Sequence, residues 1–440
     1  MKELKTGFAQ VDFTPALGLP IYGNVRDDYS ASGIHDRLYS RAFVFAGSDR
    51  RIALLSTDLC GLEQDKVAMM RDYIASKTSI YAEDVLICTT HTHGGPITYN
   101  DPYLPAVEPE IIDNFLKKAA SAVILANENL SDSNLYIGYN KEERISFNRR
   151  LKCKDSKIHS NWENFPDDFV FGPSGPIDPL VTTLTVQQNS RPKAAMVNFA
   201  LHPAILAGDN HLYTADFCGY LAEAMTKIFD NDFITGFFNG CCGNINHIDY
   251  TDPTQGRGYM MAQRVGYMLA VSAKEAINNQ IPINGNEIAV SRQIVPIGRI
   301  KINDEQLKWA EDILAKAKNN PGHWQIDGLS EEVYAKMWVQ MHEVQNEIEI
   351  MAIRIGDLGI VGFPGELFCE LGMQIKKQSK SKHTIVIELA NGWIKYIPTA
   401  TAIQEGGFGA DIGTTRYEKG TGEKLVNVAL KQLEELFSSS

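Results

Sequence analysis

The chain has 440 residues, enough for two or three domains or for one large α/β unit that carries insertions. Hydrophobic residues make up 44% and charged residues 22%, the usual balance of a globular protein with a sizeable core. The net charge is −12 and no stretch is rich in lysine and arginine, so neither nucleic acid nor an anionic membrane surface is expected as a partner.

The pattern of apolar residues predicts the elements of the amino-terminal half in chain order. They are a hairpin at 41–46 and 51–56, a helix at 63–77, a buried strand at 84–89 and a helix at 110–127. His91 and His93 directly follow the buried strand. Ligands gather outside the carboxyl ends of strands in open α/β sheets, so these two histidines are candidate site residues.

The rest of the chain continues to alternate between strands and helices. The predicted elements are strands at 181–188, 194–200 and 233–238, helices at 216–229 and 257–278, a charged helical segment at 304–347, a hairpin at 351–355 and 358–363, and a terminal helix at 422–438. A break at 319–322 makes the charged segment an inserted helical pair or lid. We therefore expect an α/β fold of mixed β-sheets with flanking helices, in a single domain over residues 1–440 with an insertion at 304–347.

Seven cysteines, an odd number without a CxxC pair, indicate reduced thiols rather than disulfides or a structural cysteine-type zinc site. The residues after Met1 contain no apolar segment of the kind found in signal peptides, which predicts a cytoplasmic protein. No run of about 18 apolar residues occurs, so neither a transmembrane helix nor membrane association is expected.

Four histidines lie at predicted loops or strand ends beside glycine or proline: His35, His91, His93 and His202. Metal sites favour such positions, because a rigid strand end can aim an imidazole at a shared point. In the His-x-His of residues 91–93, both rings are expected on one face and in reach of one cavity. The motif alone is a weak signal, since a lone histidine is more often a hydrogen-bonded structural residue.

A larger set of segments carries a stronger signal than this motif alone. The sequence resembles the neutral/alkaline ceramidase family at residues 7–15, 33–42, 90–96, 148–149, 202–203, 215–219, 243–246, 364–366 and 396–399. These segments occur in the family's order across nearly the whole chain, and an ordered set of this kind indicates homology. The resemblance implies a ceramidase-like catalytic domain that binds one zinc ion.

The resemblance also implies which side chains hold the zinc ion. The matching positions are His91, His202, Glu366 and Tyr396. Two neutral imidazoles, a carboxylate and an oxygen ligand suit a borderline cation that keeps one position open for water or substrate. A tyrosine ligand is unusual, because its phenol has an ordinary pKa of about 10 and would have to be acidified by the metal.

Two further residues match catalytic positions of the family. The resemblance implies that His93 is a proton shuttle and that Arg149 holds a substrate oxygen or a developing oxyanion. The alternative for Arg149 is a surface ion pair.

The sequence departs from the family where ceramidases carry a nucleophilic serine, within a Gly-Asp-x-Ser-Pro segment. Here the residues are Gly243-Asn-Ile-Asn246, and a carboxamide is a very poor nucleophile. Metal-activated water is then the expected attacker, with Asn246 orienting it or donating to an oxyanion. Cys241 or Cys242 is an alternative nucleophile. The family's carboxy-terminal β-sandwich domain is expected to be absent, because the chain stops at Ser440.

Some polar residues near these motifs have simpler interpretations. Asp58, Asp36 and His35 are expected to make structural hydrogen bonds, with support of a ligand histidine as the alternative. The glycine-rich residues 406–413 do not open a helix after a strand, which predicts a loop beside the metal site rather than a nucleotide loop.

The sequence as a whole predicts a zinc-dependent hydrolase that cleaves an amide or ester bond in a small, polar or sugar-derived substrate by means of metal-activated water. The altered serine position and the absent domain argue against a sphingolipid held at a membrane. Two alternatives stay open: ceramidase-type hydrolysis of N-acylsphingosine, and a non-catalytic homologue that binds zinc or a ligand. The expected partner is a small-molecule substrate, and the oligomeric state is left open.

Overall fold

Three mixed β-sheets form the frame of the computed structural model, which describes residues 4–26, 28–99, 104–318, 331–343 and 346–438. The amino-terminal sheet has the strand order Val85–Thr89, Arg51–Thr57, Tyr39–Ala46, Lys5–Asp12 and Ser131–Asp132. The central sheet has the order Ile234–Asn239, Arg191–Phe199, Leu180–Gln188, Asn134–Lys141 and Ile281–Pro282. The carboxy-terminal sheet has the order Ile288–Pro296, Glu347–Ile355, Leu358–Gly362 and His383–Ile387.

Shorter strands and the helices complete the described part of the chain. The short paired strands are Gly33–Ile34 with Leu212–Tyr213, Phe147–Asn148 with Ile245–Asn246, Glu366–Leu367 with Tyr396–Ile397, and Arg150–Cys153 between Ile158–Ser160 and Val170–Pro173. The helices are α1 (Gln64–Lys77), α2 (Pro109–Glu128), α3 (Phe217–Ile228), α4 (Tyr259–Asn278), α5 (Asp304–Lys318), α6 (Glu331–Val339), α7 (Cys369–Gln378), α8 (Ala400–Glu405) and α9 (Thr421–Ser438). Single 3₁₀ turns are formed by Ala82–Asp84 and Gln340–Glu343.

The three sheets share one apolar core, and pairs of helices cover their outer faces. Successive side chains of a strand point to opposite faces, so each sheet can pack on both sides. Phe43, Leu184 and Ile353, one from each sheet, meet in the shared core. The outer faces pack against α1 with α2, α3 with α4, and α7 with α9. This arrangement confirms the predicted α/β fold of mixed sheets with flanking helices.

Each of these sheets contains one pair of parallel neighbours, and its other pairs are antiparallel. The parallel pairs are Arg51–Thr57 with Val85–Thr89, Arg191–Phe199 with Ile234–Asn239, and Leu358–Gly362 with His383–Ile387. Polar residues collect where these strands end, as expected for the carboxyl ends of parallel strands. Strand ends from three separate sheets therefore supply one site.

The predicted elements are present, with small shifts at their ends. The predicted helices at 63–77 and 257–278 are α1 and α4, and α5 and α6 lie within the predicted helical segment at 304–347. The predicted break at 319–322 lies outside the described residues. That α5 and α6 are an insertion into a single domain stays a prediction.

Lys5–Asp12, Asn134–Lys141 and Ile288–Pro296 are long strands that were not predicted, and the last two have a physical reason. Asn134–Lys141 contains Gly138, and a Cβ there would lie 2.0 Å from the Ala276 carbonyl oxygen of α4. A glycine that permits such close packing also weakens the strand pattern. Ile288–Pro296 is an edge strand with several exposed residues, so it lacks a regular alternation of apolar side chains.

The cysteines agree with the expectation of reduced thiols, since all seven are free and buried. Across the described ranges, no helix combines the length and the apolar character that crossing a bilayer requires.

A buried ion pair joins α1 to the carboxy-terminal sheet and gives a prediction about stability. Arg71 of α1 contacts Glu349 at 2.8 Å, and both side chains are under a tenth exposed. Burial alone would raise the pKa of Glu349, but hydrogen bonds from Arg71 and Arg292 lower it below 4.5. A carboxylate whose pKa is lower in the folded state stabilises the fold above its unfolded pKa, and this contribution is lost as the pH falls through the folded pKa.

We expect Glu349→Gln to lower the free energy of unfolding by about 3 kcal/mol at pH 7, because it leaves Arg71 buried without its counter-charge. The gap between wild type and variant should narrow as the pH falls below about 4. Urea unfolding of both proteins at pH 7 and below about pH 4 measures this difference in the free energy of unfolding. The matched control is Glu435→Gln, which breaks an exposed pair with Lys431. Equal losses in the two variants would contradict the interpretation.

Candidate metal centre

Three ligand-type side chains meet where strands of the three sheets end. His91 follows Val85–Thr89, His202 follows Arg191–Phe199, and Glu366 follows Leu358–Gly362. The His91 Nε2 atom lies 3.0 Å from His202 Nε2 and 3.4 Å from Glu366 Oε2. His202 Nε2 lies 3.8 Å from the same carboxylate oxygen, and all three side chains are 2% exposed. Each of the three strands is thus followed by a residue with one atom facing a common point.

The neighbours of these side chains fix which atoms face that point. The His91 Nδ1 atom lies 2.5 Å from the carbonyl oxygen of Cys60, and His202 Nδ1 lies 3.4 Å from that of Cys242. A carbonyl accepts only, so we assign the ring proton to Nδ1 in both histidines. Both Nε2 atoms then present lone pairs.

The third ligand-type atom is also an acceptor without a donor. Trp393 donates its indole N–H to Glu366 Oε1 at 2.9 Å, while the buried Oε2 has no hydrogen-bond partner. Two imidazole lone pairs and a carboxylate oxygen at this separation repel one another unless a positive charge lies between them. The donor set therefore fits a divalent cation such as Zn²⁺.

The electrostatics of the cluster favour a positive charge at the same point. Burial opposes a charge on His91, but Cys60 and Glu366 outweigh it and raise the pKa of His91 well above its ordinary value. Burial would likewise raise the pKa of Glu366, yet His91 holds it far below its ordinary value. A bound cation would supply this charge and leave both imidazoles neutral.

Tyr396 is placed beside Glu366 by a short parallel ladder, in which the two residues are direct partners. Its phenol interacts with both Glu366 and Arg149. Burial raises the pKa of Tyr396 well above its ordinary value, and Glu366 adds to this effect while Arg149 opposes it. A phenolate at this position would therefore depend on the charge of a neighbouring cation.

His93 lies at the same point but holds a different set of partners. Its Nε2 atom is 3.4 Å from His91 Nε2, and its Nδ1 atom is 3.0 Å from Asn24 Oδ1. Burial and the charge of His91 lower the pKa of His93 well below its ordinary value, so its ring is a neutral base. The His93 carbonyl accepts a hydrogen bond from the buried Arg26.

His91 and His93 both line one cavity, as expected. The expectation that they do so as alternate residues of a strand was wrong. The strand ends at Thr89, and His91 has a φ of 70°, in the left-handed region. The two rings meet at 85° with centroids 4.9 Å apart. A turn, not the pleat of a strand, aims both side chains inward.

Arg149 is buried, so the alternative of a surface ion pair is wrong. Its guanidinium lies 5.1 Å from the ring centroid of Tyr396 and 4.8 Å from that of Phe408. It donates to the carbonyl oxygen of Gly243, and its Nε atom is buried without a hydrogen-bond partner. A cation with an unused donor is thus held among aromatic rings at the edge of the cluster.

Asn246 is held by a second amide. It donates to Asn161 Oδ1 at 2.7 Å, and its own Oδ1 accepts from Asn161 at 2.8 Å and from the Ile248 N–H at 3.0 Å. The short ladder between Ile245–Asn246 and Phe147–Asn148 places it near Arg149. One amide N–H of Asn246 is left for another acceptor.

Cys241 and Cys242, which precede Asn246 in the chain, have little nucleophilic character. Burial raises the pKa of both Cys241 and Cys242 well above the ordinary value, and Glu388 adds to this effect. A neutral buried thiol is a poor nucleophile. The geometry gives no support to the alternative of a cysteine nucleophile.

A cavity of about 200 Å³ opens onto the cluster, and its wall includes His91, His93 and Glu366. Val333 and Met337 of α6 form one side of it, so one helix of the predicted helical segment borders the cavity. Among the carboxy-terminal residues in the wall are Trp393, Tyr396, Phe408 and Gly413. The last two confirm that residues 406–413 lie beside the site.

Several residues that orient the cluster were missed. Cys60, Trp393 and Asn24 fix His91, Glu366 and His93 through the contacts given above. No local pattern marks Cys60 or Asn24, since each acts through a partner far away in the chain.

The simpler interpretations of three polar residues hold. Asp58 binds Arg41 at 3.0 Å, and His35 binds Asp36 at 2.9 Å. Asp36 in turn accepts from the backbone N–H of Ala215. These are structural hydrogen bonds, as expected.

The position of His93 gives a prediction about Gly23, whose φ is 123°. A Cβ at Gly23 would lie 2.4 Å from His93 Cγ. We expect Gly23→Ala to displace the ring and to lower kcat about 10²-fold without changing the metal content. Gly18→Ala is the matched control, since its φ is 93° and nothing lies within 4 Å of the added Cβ. An unchanged kcat in Gly23→Ala would argue against a role for His93.

Sequence comparison finds relatives that match between 51% and 90% of the chain. The family model described as neutral/alkaline non-lysosomal ceramidase, N-terminal, matches residues 4–256. The neutral ceramidases of Mycobacterium tuberculosis and Pseudomonas aeruginosa are each 24% identical, over 90% and 89% of this chain and 71% and 66% of their own lengths. Neutral ceramidase B of Dictyostelium discoideum is 26% identical over 51% of this chain and 32% of its own length.

A solved structure shares the fold. The crystal structure of neutral ceramidase from Pseudomonas aeruginosa aligns over 99% of this chain and 75% of its own, with a TM-score of 0.76 and 19% identity. The ceramidase-like fold expected from the sequence is confirmed.

Proposed function

The chain belongs to the neutral/alkaline non-lysosomal ceramidase family, and from this premise we propose that it is a metal-dependent hydrolase that cleaves the amide bond of an N-acyl substrate. The curated relatives are named neutral ceramidases, which favours an N-acyl amide over the small polar or sugar-derived substrate expected from the sequence. The observation that carries the metal is the convergence of three buried acceptor atoms from His91, His202 and Glu366, without a donor between them.

The proposed metal ligands are His91, His202, Glu366 and Tyr396. The mixed nitrogen and oxygen set suits zinc, which is the ion we propose. A divalent cation bound there would polarise the scissile carbonyl and acidify a water molecule. Within the described residues, Tyr396 is the side chain paired with Glu366 on the adjoining strand, so the two would act from one ladder.

His93 is the proposed general base and acid. Its neutral ring can take a proton from the attacking water on Nε2 and deliver it to the leaving amine nitrogen. The contact between Nδ1 and Asn24 holds the proton on the opposite side of the ring, which keeps Nε2 free for this transfer.

Arg149 and Asn246 are the proposed polar partners of the reacting groups. Arg149 would donate a guanidinium N–H to the carbonyl oxygen as that oxygen gains negative charge. Asn246 has no nucleophilic oxygen or sulfur, so we propose water as the attacking group. Its remaining amide N–H would help to orient that water or the oxyanion.

Turnover of a defined substrate series tests the proposal. The zinc-loaded protein is offered N-acylsphingosines and simpler N-acyl amides with acyl chains of graded length, together with the matching esters. We expect release of the fatty acid that stops on chelation and returns when zinc is restored. Full zinc occupancy with no turnover of any member would favour the non-catalytic alternative.

The size of the cavity keeps the small-substrate alternative open as a second candidate. Its volume of about 200 Å³ is below the range of roughly 300–1,000 Å³ that is usual for pockets burying a drug-sized ligand. A long acyl chain would have to extend beyond the enclosed space. If kcat/KM is highest for acetyl or butyryl amides and falls with chain length, the small-substrate alternative is favoured.

A further inference from the structure

The charged side chains on the cavity wall have an unexpected balance. Three cationic residues line it, namely Lys336, Lys395 and Arg416, whereas Glu366 is the single acidic residue among the described lining residues. The carboxylate of Glu366 faces the histidine cluster. The whole chain carries a net charge of −12, so this concentration of positive charge is opposite to the charge of the molecule. Such a cavity attracts anions.

Arg416 has spare hydrogen-bonding capacity. It donates one N–H to the amide oxygen of Gln340 at 3.3 Å, and its buried Nε atom has no hydrogen-bond partner. Within the described residues it makes no ion pair. The guanidinium is thus a cation on the cavity wall without a counter-charge among the described residues, and an anionic ligand would supply one.

Lys395 occupies a strained backbone position. Its φ is 68°, in the left-handed region that disfavours side chains other than glycine, asparagine and aspartate. The ammonium lies 3.3 Å from the ring centroid of Trp393. The same tryptophan donates its indole N–H to Glu366. This strained position places a cationic side chain on the wall of the candidate active site.

The remainder of the wall is largely apolar. Leu104, Val333, Met337 and Phe408 are among its residues. An anionic ligand for this cavity therefore also needs an apolar portion. The combination of apolar walls with lysine and arginine side chains fits an amphiphilic acid better than a free inorganic anion or a neutral lipid.

We infer that the substrate is an N-acyl amide that carries a carboxylate, with Lys395 and Arg416 holding the carboxylate while the amide lies at the histidine cluster. This inference rests on the proposed function, because it assigns the substrate class of that same site. Lys336 of α6 adds a third positive charge on the facing wall.

A pair of metal-binding probes tests the inference without requiring turnover. The first probes are alkyl hydroxamates of four to eight carbons with a terminal carboxylate, and the second are the same compounds with a terminal carboxamide. We expect the best carboxylate to bind the zinc-loaded protein at least about tenfold more tightly than its carboxamide, as for a hydrogen bond to a charged group. The preference should weaken at high salt.

Variants locate the effect in the chain. In Lys395→Gln with Arg416→Gln, most of the preference for the carboxylate probe should be lost, because Lys336 is then the remaining cationic residue among the described lining residues. Lys419→Gln is the matched control, since it removes one positive charge from an exposed position on the same segment. The control should keep the preference of the wild type.

The outcomes separate the two proposals. Equal binding of both probes, or tighter binding of the carboxamide, overturns the carboxylate inference. The proposed function is tested separately, and zinc-dependent turnover of neutral N-acyl amides would leave it intact. If zinc binds but neither probe does at any chain length, the inference falls as well. A preference that persists in the double variant shows that other residues cause it and overturns the assignment to Lys395 and Arg416.

Discussion

His202→Ala is expected to lose the bound metal and to lower kcat/KM by at least about 10³-fold, since a catalytic metal supplies several kcal/mol of transition-state stabilisation. The imidazole of His202 supplies one of three converging acceptor atoms, and it follows a strand of a different sheet than the other two. Alanine removes this atom and leaves His91, Glu366 and Tyr396 of the four proposed ligands. Metal analysis after dialysis, combined with the rate on the N-acyl amide found by screening, measures both effects.

The matched control is His211→Ala, which removes an imidazole a short distance along the chain from His202. His211 belongs to neither group of ligand-type side chains around His91. It should keep both metal and activity. His91→Ala should behave like His202→Ala. Full metal occupancy in both His91→Ala and His202→Ala would refute the proposed ligands.

Arg149→Met is expected to lower kcat about 10²- to 10³-fold while the metal stays bound, which is the usual effect of removing one donor to an oxyanion. Methionine keeps much of the apolar contact with Tyr396 and Phe408, so the loss reports on the guanidinium. Arg149→Lys should have a kcat little higher than that of Arg149→Met, because lysine lacks the planar guanidinium that fits between aromatic rings.

Steady-state kinetics distinguishes this role from simple substrate binding. A transition-state role lowers kcat and kcat/KM together, whereas a binding role raises KM alone. Arg144→Met is the control, since Arg144 is 66% exposed and pairs with Glu142. A higher KM with an unchanged kcat in Arg149→Met would contradict the oxyanion role.

Local patterns were sufficient to predict the elements but not their assembly. The helices at 63–77 and 257–278 follow from apolar residues that recur at helical spacing, a property of a few successive turns. The meeting of three sheets around one core depends on contacts such as Phe43 with Phe238, whose partners are far apart in the chain. Such contacts leave no periodic signal in the sequence.

The candidate site shows the same division. His91 and His93 were marked by their place after a buried strand, whereas Glu366 and Tyr396 were marked only by the family resemblance. That these last two are partners in one ladder is a fact of pairing, which residue spacing does not predict. The role of Trp393 as donor to Glu366 was likewise out of reach, because it depends on how a loop meets the short strand that contains Glu366.

Two groups of ligand-type side chains share His91, and they predict different ligands for the metal. One set is His91, His202 and Glu366, and the other is Cys60, His91 and His93. Cys60 Sγ lies 3.6 Å from His91 Nδ1, but that nitrogen is 2.5 Å from the Cys60 carbonyl oxygen and so acts as a donor. We therefore favour the set without sulfur, in which Nε2 of His91 is the ligand.

X-ray absorption at the zinc edge on the zinc-loaded wild-type protein tests this claim most directly. The predicted result is a first shell of nitrogen and oxygen atoms at about 2.0–2.2 Å, with the outer-shell signature of two imidazoles. A sulfur neighbour at about 2.3 Å, as expected for a cysteine ligand, would contradict the proposed centre.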